Sequence, residues 1–321
     1  MKIETHSVTR DDGYKLFIRV WRPESPARAV VQIVHGMAEH SRRYEDFASV
    51  LCEAGYEVHA HDARGHGESL SLNRDDGETH GQPGFLAPIN GFDICVSDVC
   101  ALGRALREEH PTRPLILFGH SWGSFVSQGA VEQETQLWSA LVLSGTRGPA
   151  RLLMGFARAL ASLVMAVTKP ERFSPLVWGL ADGSYNRSFK PARTPFDWLS
   201  RDEALVDAYV ADPLCGFPCP VIFYRDLFTG LSRIHRTETM GAIRRDLPVL
   251  VIAGTKDPVG DFAQSPKRLV ARYAAMGMSD VSLNLYPDAR HELLNETVRT
   301  QVYRDILVWL DERCTHSSGG D

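Results

Sequence analysis

Hydrophobic and polar positions along this chain fall into two patterns. At the N-terminus, Ile3–Val8 and Lys15–Trp21 alternate apolar with polar residues, the period of a strand covered on one face. Asp11-Asp12-Gly13 between them has the composition of a hairpin turn. After this the apolar residues come in short continuous runs: Ala29–Val34, Glu57–Ala60, Leu115–Phe118, Ala140–Leu143, Val249–Ala253 and Val281–Tyr286. Continuous runs predict strands covered on both faces, as in parallel sheets. Helical spacing fills the gaps: a segment opening at Ser41, read as its N-cap, and running through Cys52, then 92–109, 122–134 and 295–312. Such alternation predicts an α/β architecture, a doubly wound, mostly parallel eight-stranded sheet with an antiparallel start.

The alternation stops between 148 and 236. That stretch carries helical runs, prolines and the aromatics Phe173, Trp178, Tyr185, Phe189, Phe196 and Trp198, without a parallel-strand signal. It reads as an inserted helical cap over the carboxyl edge of the sheet. The expected organisation is thus a core of 1–147 and 237–315, a cap of 148–236 and a disordered tail at 316–321. Within the cap, Leu152–Val167 is apolar over sixteen residues but holds Arg158. It falls short of the roughly 20 residues of a bilayer span, and predicts instead a helix whose broad apolar face packs on protein or touches lipid.

Composition narrows the class. The 321 residues are 44% hydrophobic and 23% charged, with a net charge of −5 and 35 scattered basic residues, so nothing in the balance points to nucleic acid. The opening residues lack an apolar signal-peptide region, and six cysteines in a chain of this size fit a reducing compartment; a cytoplasmic protein is expected. Cys215 and Cys219 have no second Cys/His pair to complete a metal site, and no metal or other cofactor is expected. No obligate protein partner is evident.

The candidate chemistry lies at Gly119-His120-Ser121-Trp122-Gly123. It matches G-x-S-x-G and stands where a strand ends and a helix begins. A serine hydroxyl needs a base to take its proton, usually histidine, and the histidine needs an acceptor on its other nitrogen. In this order of elements the acid and histidine follow the serine. Asp257 sits on the loop after Val249–Ala253, and His291 on the loop after Val281–Tyr286. Strand ends of this kind are where α/β sites gather. Asp288 and Asp261 are the reserve acids. The oxyanion of a tetrahedral intermediate needs two donors: the backbone N–H of Trp122 opens a helix, and that of Met37 lies in the loop after the third strand. The histidines His35, His40, His61, His66 and His120 read as loop supports. So does Asp62-Ala63-Arg64-Gly65-His66-Gly67, which lacks the spacing of a phosphate-binding loop.

Five blocks, HGMAEHSRRY at 35–44, HDARGHGES at 61–69, GHSWGS at 119–124, GTKDPVG at 254–260 and YPDARHELLNE at 286–296, resemble the monoacylglycerol lipase and lysophospholipase-like branch of the α/β-hydrolases, in its bacterial form. The resemblance implies the α/β-hydrolase fold with a cap after the sixth strand. It also implies Ser121 as nucleophile, Asp257 as acid, His291 as base and Met37 with Trp122 as oxyanion donors. The activity it implies is serine carboxylic ester hydrolysis of lipid-like esters, such as monoacylglycerols, lysophospholipids or short-to-medium acyl esters, with transient membrane or micelle contact through the cap. Trp122 stands where the branch often has methionine, and its indole is expected to crowd the acyl side of the pocket. A peptidase or amidase on the same triad and a non-catalytic ligand-binding homologue are the alternatives.

Overall fold

The computed structural model describes residues 1–74 and 81–314; the expected tail at 316–321 lies outside them. Among the described residues eight strands form one sheet: β1 (Lys2–Thr9), β2 (Lys15–Arg22), β3 (Ala29–Val34), β4 (Tyr56–His61), β5 (Leu115–His120), β6 (Ala140–Ser144), β7 (Val249–Gly254) and β8 (Val281–Tyr286). Their spatial order is β1-β2-β4-β3-β5-β6-β7-β8. β1 and β2 pair antiparallel through the expected turn, where Gly13 takes φ 86° and Arg10 N–H meets the Tyr14 carbonyl at 2.8 Å. β2 meets β4 antiparallel, and β4 through β8 run parallel. This is the α/β-hydrolase fold.

The apolar runs explain the order. β3, β4, β5, β6 and β7 are buried at every position, because helices cover both faces. β8 is the exception: it is partly exposed along most of its length, since it closes the edge of the sheet. One face packs on the helices Gly91–Glu109 and Trp122–Gln133, with Val96, Val99, Val126 and Ala130 fully buried. The other packs on Glu45–Glu53 and Arg299–Cys314 through Phe47, Leu51, Val302 and Ile306.

One helix start differs from expectation. Ser41 does not cap the first helix: a 3-10 turn, Ser41–Tyr44, precedes Glu45–Glu53, and no side chain caps either. The Ser41 hydroxyl has no partner, and its N–H donates instead to Asp62 Oδ1 at 2.7 Å. A carboxylate from a distant loop does what a local hydroxyl was expected to do. The same carboxylate accepts from Glu68 N–H at 2.7 Å, while Arg64 binds Asp98 and Asp12, so the 62–68 loop is braced as its residues suggested.

Residues 148–236 hold the helices Arg151–Val167, Pro175–Leu180, Glu203–Ala211 and Val221–Ile234, and no strand of the sheet. Val221–Ile234 lies against Gly91–Glu109 and Trp122–Gln133 as well as Arg151–Val167. No helix among the described residues is long and apolar enough to cross a membrane. Cys52, Cys95, Cys100 and Cys215 are buried and form no disulfide among the described residues.

Candidate active site

β5 ends by turning sharply into the helix Trp122–Gln133, and Ser121 stands at the turn with φ 52° and ψ −123°. For a residue bearing a Cβ this is a strained conformation, and it holds only because the surroundings over-determine it. The two glycines make room. A Cβ on Gly119 would lie 2.4 Å from Ser127 Oγ, and one on Gly123 would lie 2.2 Å from the Val34 carbonyl oxygen. The helix therefore seats directly on the end of β3, and Ser121 projects above the sheet edge.

Two neighbouring loops complete the cluster. After β7, Asp257 is fully buried; after β8, His291 is 1% exposed. His291 Nδ1–H donates to Asp257 Oδ1 at 3.0 Å, and His291 Nε2 accepts from the Ser121 hydroxyl at 2.8 Å. The Val259 N–H also donates to Asp257 Oδ1, at 2.9 Å. Burial alone would lower the His291 pKa, but the adjacent Asp257 carboxylate outweighs it and the imidazole sits above its usual range. The reserve acids lie elsewhere. Asp261 pairs with Arg268 at 3.0 Å, and Asp288 occupies an exposed turn in which its N–H meets Thr255 Oγ1.

The loop after β3 faces Ser121 from the other side. Gly36, Met37, Ala38 and Glu39 line a small cavity of about 60 Å³ together with His120, Ser121, His291 and Glu292. Trp122 is the first residue of its helix, so its N–H has no intrahelical acceptor. The Trp122 indole does not crowd this cavity. It is buried in the core, stacked on His66 with ring centres 5.5 Å apart and planes within 11°, and packed on Phe223. The helix turns the side chain beneath the site rather than into it.

A set of charges that sequence reasoning had not singled out supports the loops. Arg43 binds both oxygens of Glu292 at 2.7 Å and Glu39 at 2.6 Å; Glu39 also accepts from Tyr44 O–H at 2.8 Å and from Gly36 N–H. Burial would raise the Glu39 pKa, yet Arg43 and then His120 bring it down to about 2. Glu292 is lowered by the same guanidinium against its own burial. The spacing of Glu39 and Arg43, four residues apart, was the readable signal. His35 ties the loop further: its Nε2 accepts from Ala63 N–H at 2.9 Å and its Nδ1 meets the Gly36 carbonyl at 2.7 Å. His120 lies beside His291, ring centres 4.9 Å apart, and burial followed by that neighbour lowers it to about 4.

The segment 148–236 walls the cavity with Trp178, Phe196, Trp198, Tyr209 and Phe217. Its later part is tied down: Tyr209 O–H and Gly216 N–H both donate to the Ala38 carbonyl at 2.9 Å, and Glu292 N–H donates to Leu199 O at 2.8 Å. A second, larger cavity of about 400 Å³ lies between the helices Arg151–Val167 and Pro175–Leu180, with Pro258 and Phe262 on its core side.

Two groups of side chains bring three potential metal donors within 4.8 Å: Glu57, His59 and His110, and His40, Asp212 and Cys215. Both groups already have partners within the chain. Arg22 donates to Glu57 at 2.5 Å, and Arg113 donates to His110 Nδ1 at 3.0 Å, which places the His110 proton on the nitrogen a metal would need. His40 Nε2 is engaged by Asp212 at 2.9 Å, and burial pushes the Cys215 thiol well above its usual range.

Comparison with known proteins agrees with this geometry. Residues 25–298 match the Hydrolase_4 family, described as serine aminopeptidase, S33. The chain is 30% identical over 311 residues to a monoacylglycerol lipase of Mycolicibacterium smegmatis, covering 95% of this chain and 96% of that one. It is 28% identical over 314 residues to the monoglyceride lipase of Homo sapiens, covering 94% and 88%. A crystal structure of a highly thermostable carboxyl esterase from Bacillus coagulans in complex with glycerol superposes with a TM-score of 0.85 at 25% identity, covering 98% of this chain and 99% of that one. The chain therefore belongs to the serine aminopeptidase S33 family and, within it, to the monoacylglycerol lipase-like branch of the α/β-hydrolases.

Proposed function

We propose that this carboxylic ester hydrolase works through an acyl-enzyme formed on Ser121. The observation that carries the reading is the unbroken chain from Ser121 Oγ to His291 Nε2 at 2.8 Å and from His291 Nδ1 to Asp257 at 3.0 Å. As Ser121 Oγ attacks the ester carbonyl carbon, its proton passes to His291 Nε2, and Asp257 stabilises the imidazolium. The carbonyl oxygen takes the negative charge and accepts hydrogen bonds from the Met37 and Trp122 N–H groups, each worth about 2.7–4 kcal/mol in such a site. Collapse breaks the bond to the alcohol oxygen, which leaves with the His291 proton. Water, activated by the same histidine, then hydrolyses the acyl-serine and frees the acid.

The substrate is a lipid-like ester of a small alcohol. The aromatic wall around Ser121 suits an apolar body, two relatives described above are named as monoacylglycerol or monoglyceride lipases, and the carboxyl esterase was solved in complex with glycerol. Residues 148–236 act as the cap. Its first helix leaves Leu152, Phe156 and Val167 91%, 68% and 78% exposed, an apolar face fitted to a micelle or membrane surface. Replacing Leu152 and Val167 with serine then lowers hydrolysis of emulsified esters while sparing soluble ones. Equal loss on both would remove the interfacial role.

An aminopeptidase would need a free anion for the substrate ammonium. Glu39 and Glu292 do line the cavity, but both are already bound to Arg43, and neither is a free carboxylate aimed at a substrate ammonium, so the ester reading is preferred. Profiling purified enzyme on monoacylglycerols of graded chain length, lysophospholipids and aminoacyl amides tests this. Turnover of the amides above the esters would overturn it.

A further inference from the structure

The larger cavity, about 400 Å³, is walled by apolar side chains such as Leu153, Phe156, Leu160, Phe228 and Phe262. Among the described residues one ionised side chain reaches it, Arg147, which follows β6 by three residues. Ser184, Tyr185 and Ser188 are the other polar groups that the described residues place on its lining, and no carboxylate is among those. The partly exposed Arg147 side chain makes no hydrogen bond or ion pair among the described residues, and its Nε is buried without a partner. The adjacent His235 supplies no countercharge: burial, reinforced by the Arg147 charge, lowers it to about 4, so it is neutral at physiological pH.

A guanidinium cannot shed its proton to relieve desolvation, and it carries five N–H donors in a planar fork. At the edge of an apolar cavity it is only partly hydrated, so an anion that reaches it gains a charge-assisted contact. The surroundings thus describe a ligand by complement: an apolar chain bearing one planar anion, since a carboxylate matches the guanidinium fork with two parallel hydrogen bonds.

We propose that this cavity binds a long-chain carboxylate, with its chain along Phe156, Leu160 and Phe228 and its anionic end on Arg147. Hydrolysis of a fatty ester releases such an acid, and an acyl chain with a second, terminal carboxylate presents the same group. Only this choice of source rests on the ester-hydrolase reading; the binding itself does not.

Binding is measured on the Ser121→Ala protein, which does not turn over, by calorimetry with dodecanoate and with dodecan-1-ol. Dodecanoate binds at least about tenfold more tightly, the margin expected of charge-assisted hydrogen bonds. Adding Arg147→Met abolishes the margin and leaves the affinity for the alcohol unchanged, whereas Arg147→Lys keeps part of it; thermal melts confirm that each variant is folded. Equal affinity of acid and alcohol overturns the proposal, and so does an undiminished margin in folded Arg147→Met. Kinetics on otherwise unaltered enzyme separates the sources. A higher kcat/KM for the p-nitrophenyl half-ester of dodecanedioic acid than for p-nitrophenyl dodecanoate, lost in Arg147→Met, assigns the carboxylate to the substrate chain. Without that preference, tight dodecanoate binding assigns it to the released acid. An enzyme inactive on both esters would sink the ester reading and leave the binding comparison standing.

Discussion

Arg43 grips both oxygens of Glu292 at 2.7 Å, joining the loop after β3 to the loop that carries His291. Three charges share this site, and their side chains are 12% or less exposed. Arg43→Met leaves two buried carboxylates without a cation and is expected to cost about 3–5 kcal/mol, read from urea unfolding. Adding Glu292→Gln removes one of the stranded charges and recovers part of the loss. A single variant as stable as the parent would show that the network is solvated and unimportant to the fold.

Ser121→Ala is expected to lower ester hydrolysis by at least about 10⁴-fold and to end labelling by an alkyl phosphonate, with the melting temperature retained. Retained turnover would move the nucleophile elsewhere.

The acid is tested by contrast. Asp257 is buried on His291, whereas Asp288 lies in an exposed turn. Asp257→Asn lowers kcat by about 10⁴-fold, because the amide favours the wrong imidazole tautomer, while Asp288→Asn stays within about twofold. The reverse ranking would reassign the role.

The pH profile follows from the histidine. His291 works as a base only when neutral, and the Asp257 carboxylate holds its pKa above the ordinary 6.5. Activity is therefore full on the alkaline side and falls as pH drops through that raised value, so the acid limb of kcat/KM lies above pH 6.5. Glu292 adds to the raise, and Glu292→Gln moves the limb to lower pH. An acid limb below pH 6, or one unmoved by the substitution, contradicts the assignment.

Trp122 packs on His66 and Phe223 beneath the site. Trp122→Met is expected to cost about 2–4 kcal/mol of stability through lost packing, with the chain-length profile unchanged. A profile shifted toward longer chains would place the indole at the pocket after all.

Much of this molecule was legible before its structure. The sheet announces itself in two patterns, alternation in the antiparallel pair and short apolar runs in the parallel strands, and the meeting of Ser121, Asp257 and His291 follows from each lying just past a strand end. What escaped is what depends on contacts far apart in sequence or on rotation about a helix. Arg43 and Glu292 are 249 positions apart, and no local pattern pairs them. Asp62 replaces a local cap because it approaches Ser41 from another loop. The residue after the serine reads as a neighbour of the pocket, yet one step of a helix turns its side chain about 100° away.

Gly123 gives the arrangement its last consequence. With no room for even a methyl group between it and the Val34 carbonyl, the helix bearing the serine is bolted to the central strand. The floor of the site is part of the sheet itself, while residues between 148 and 236 wall it from above. Anyone wishing to retarget the site would rewrite the residues of 148–236 that wall it and leave that foundation untouched.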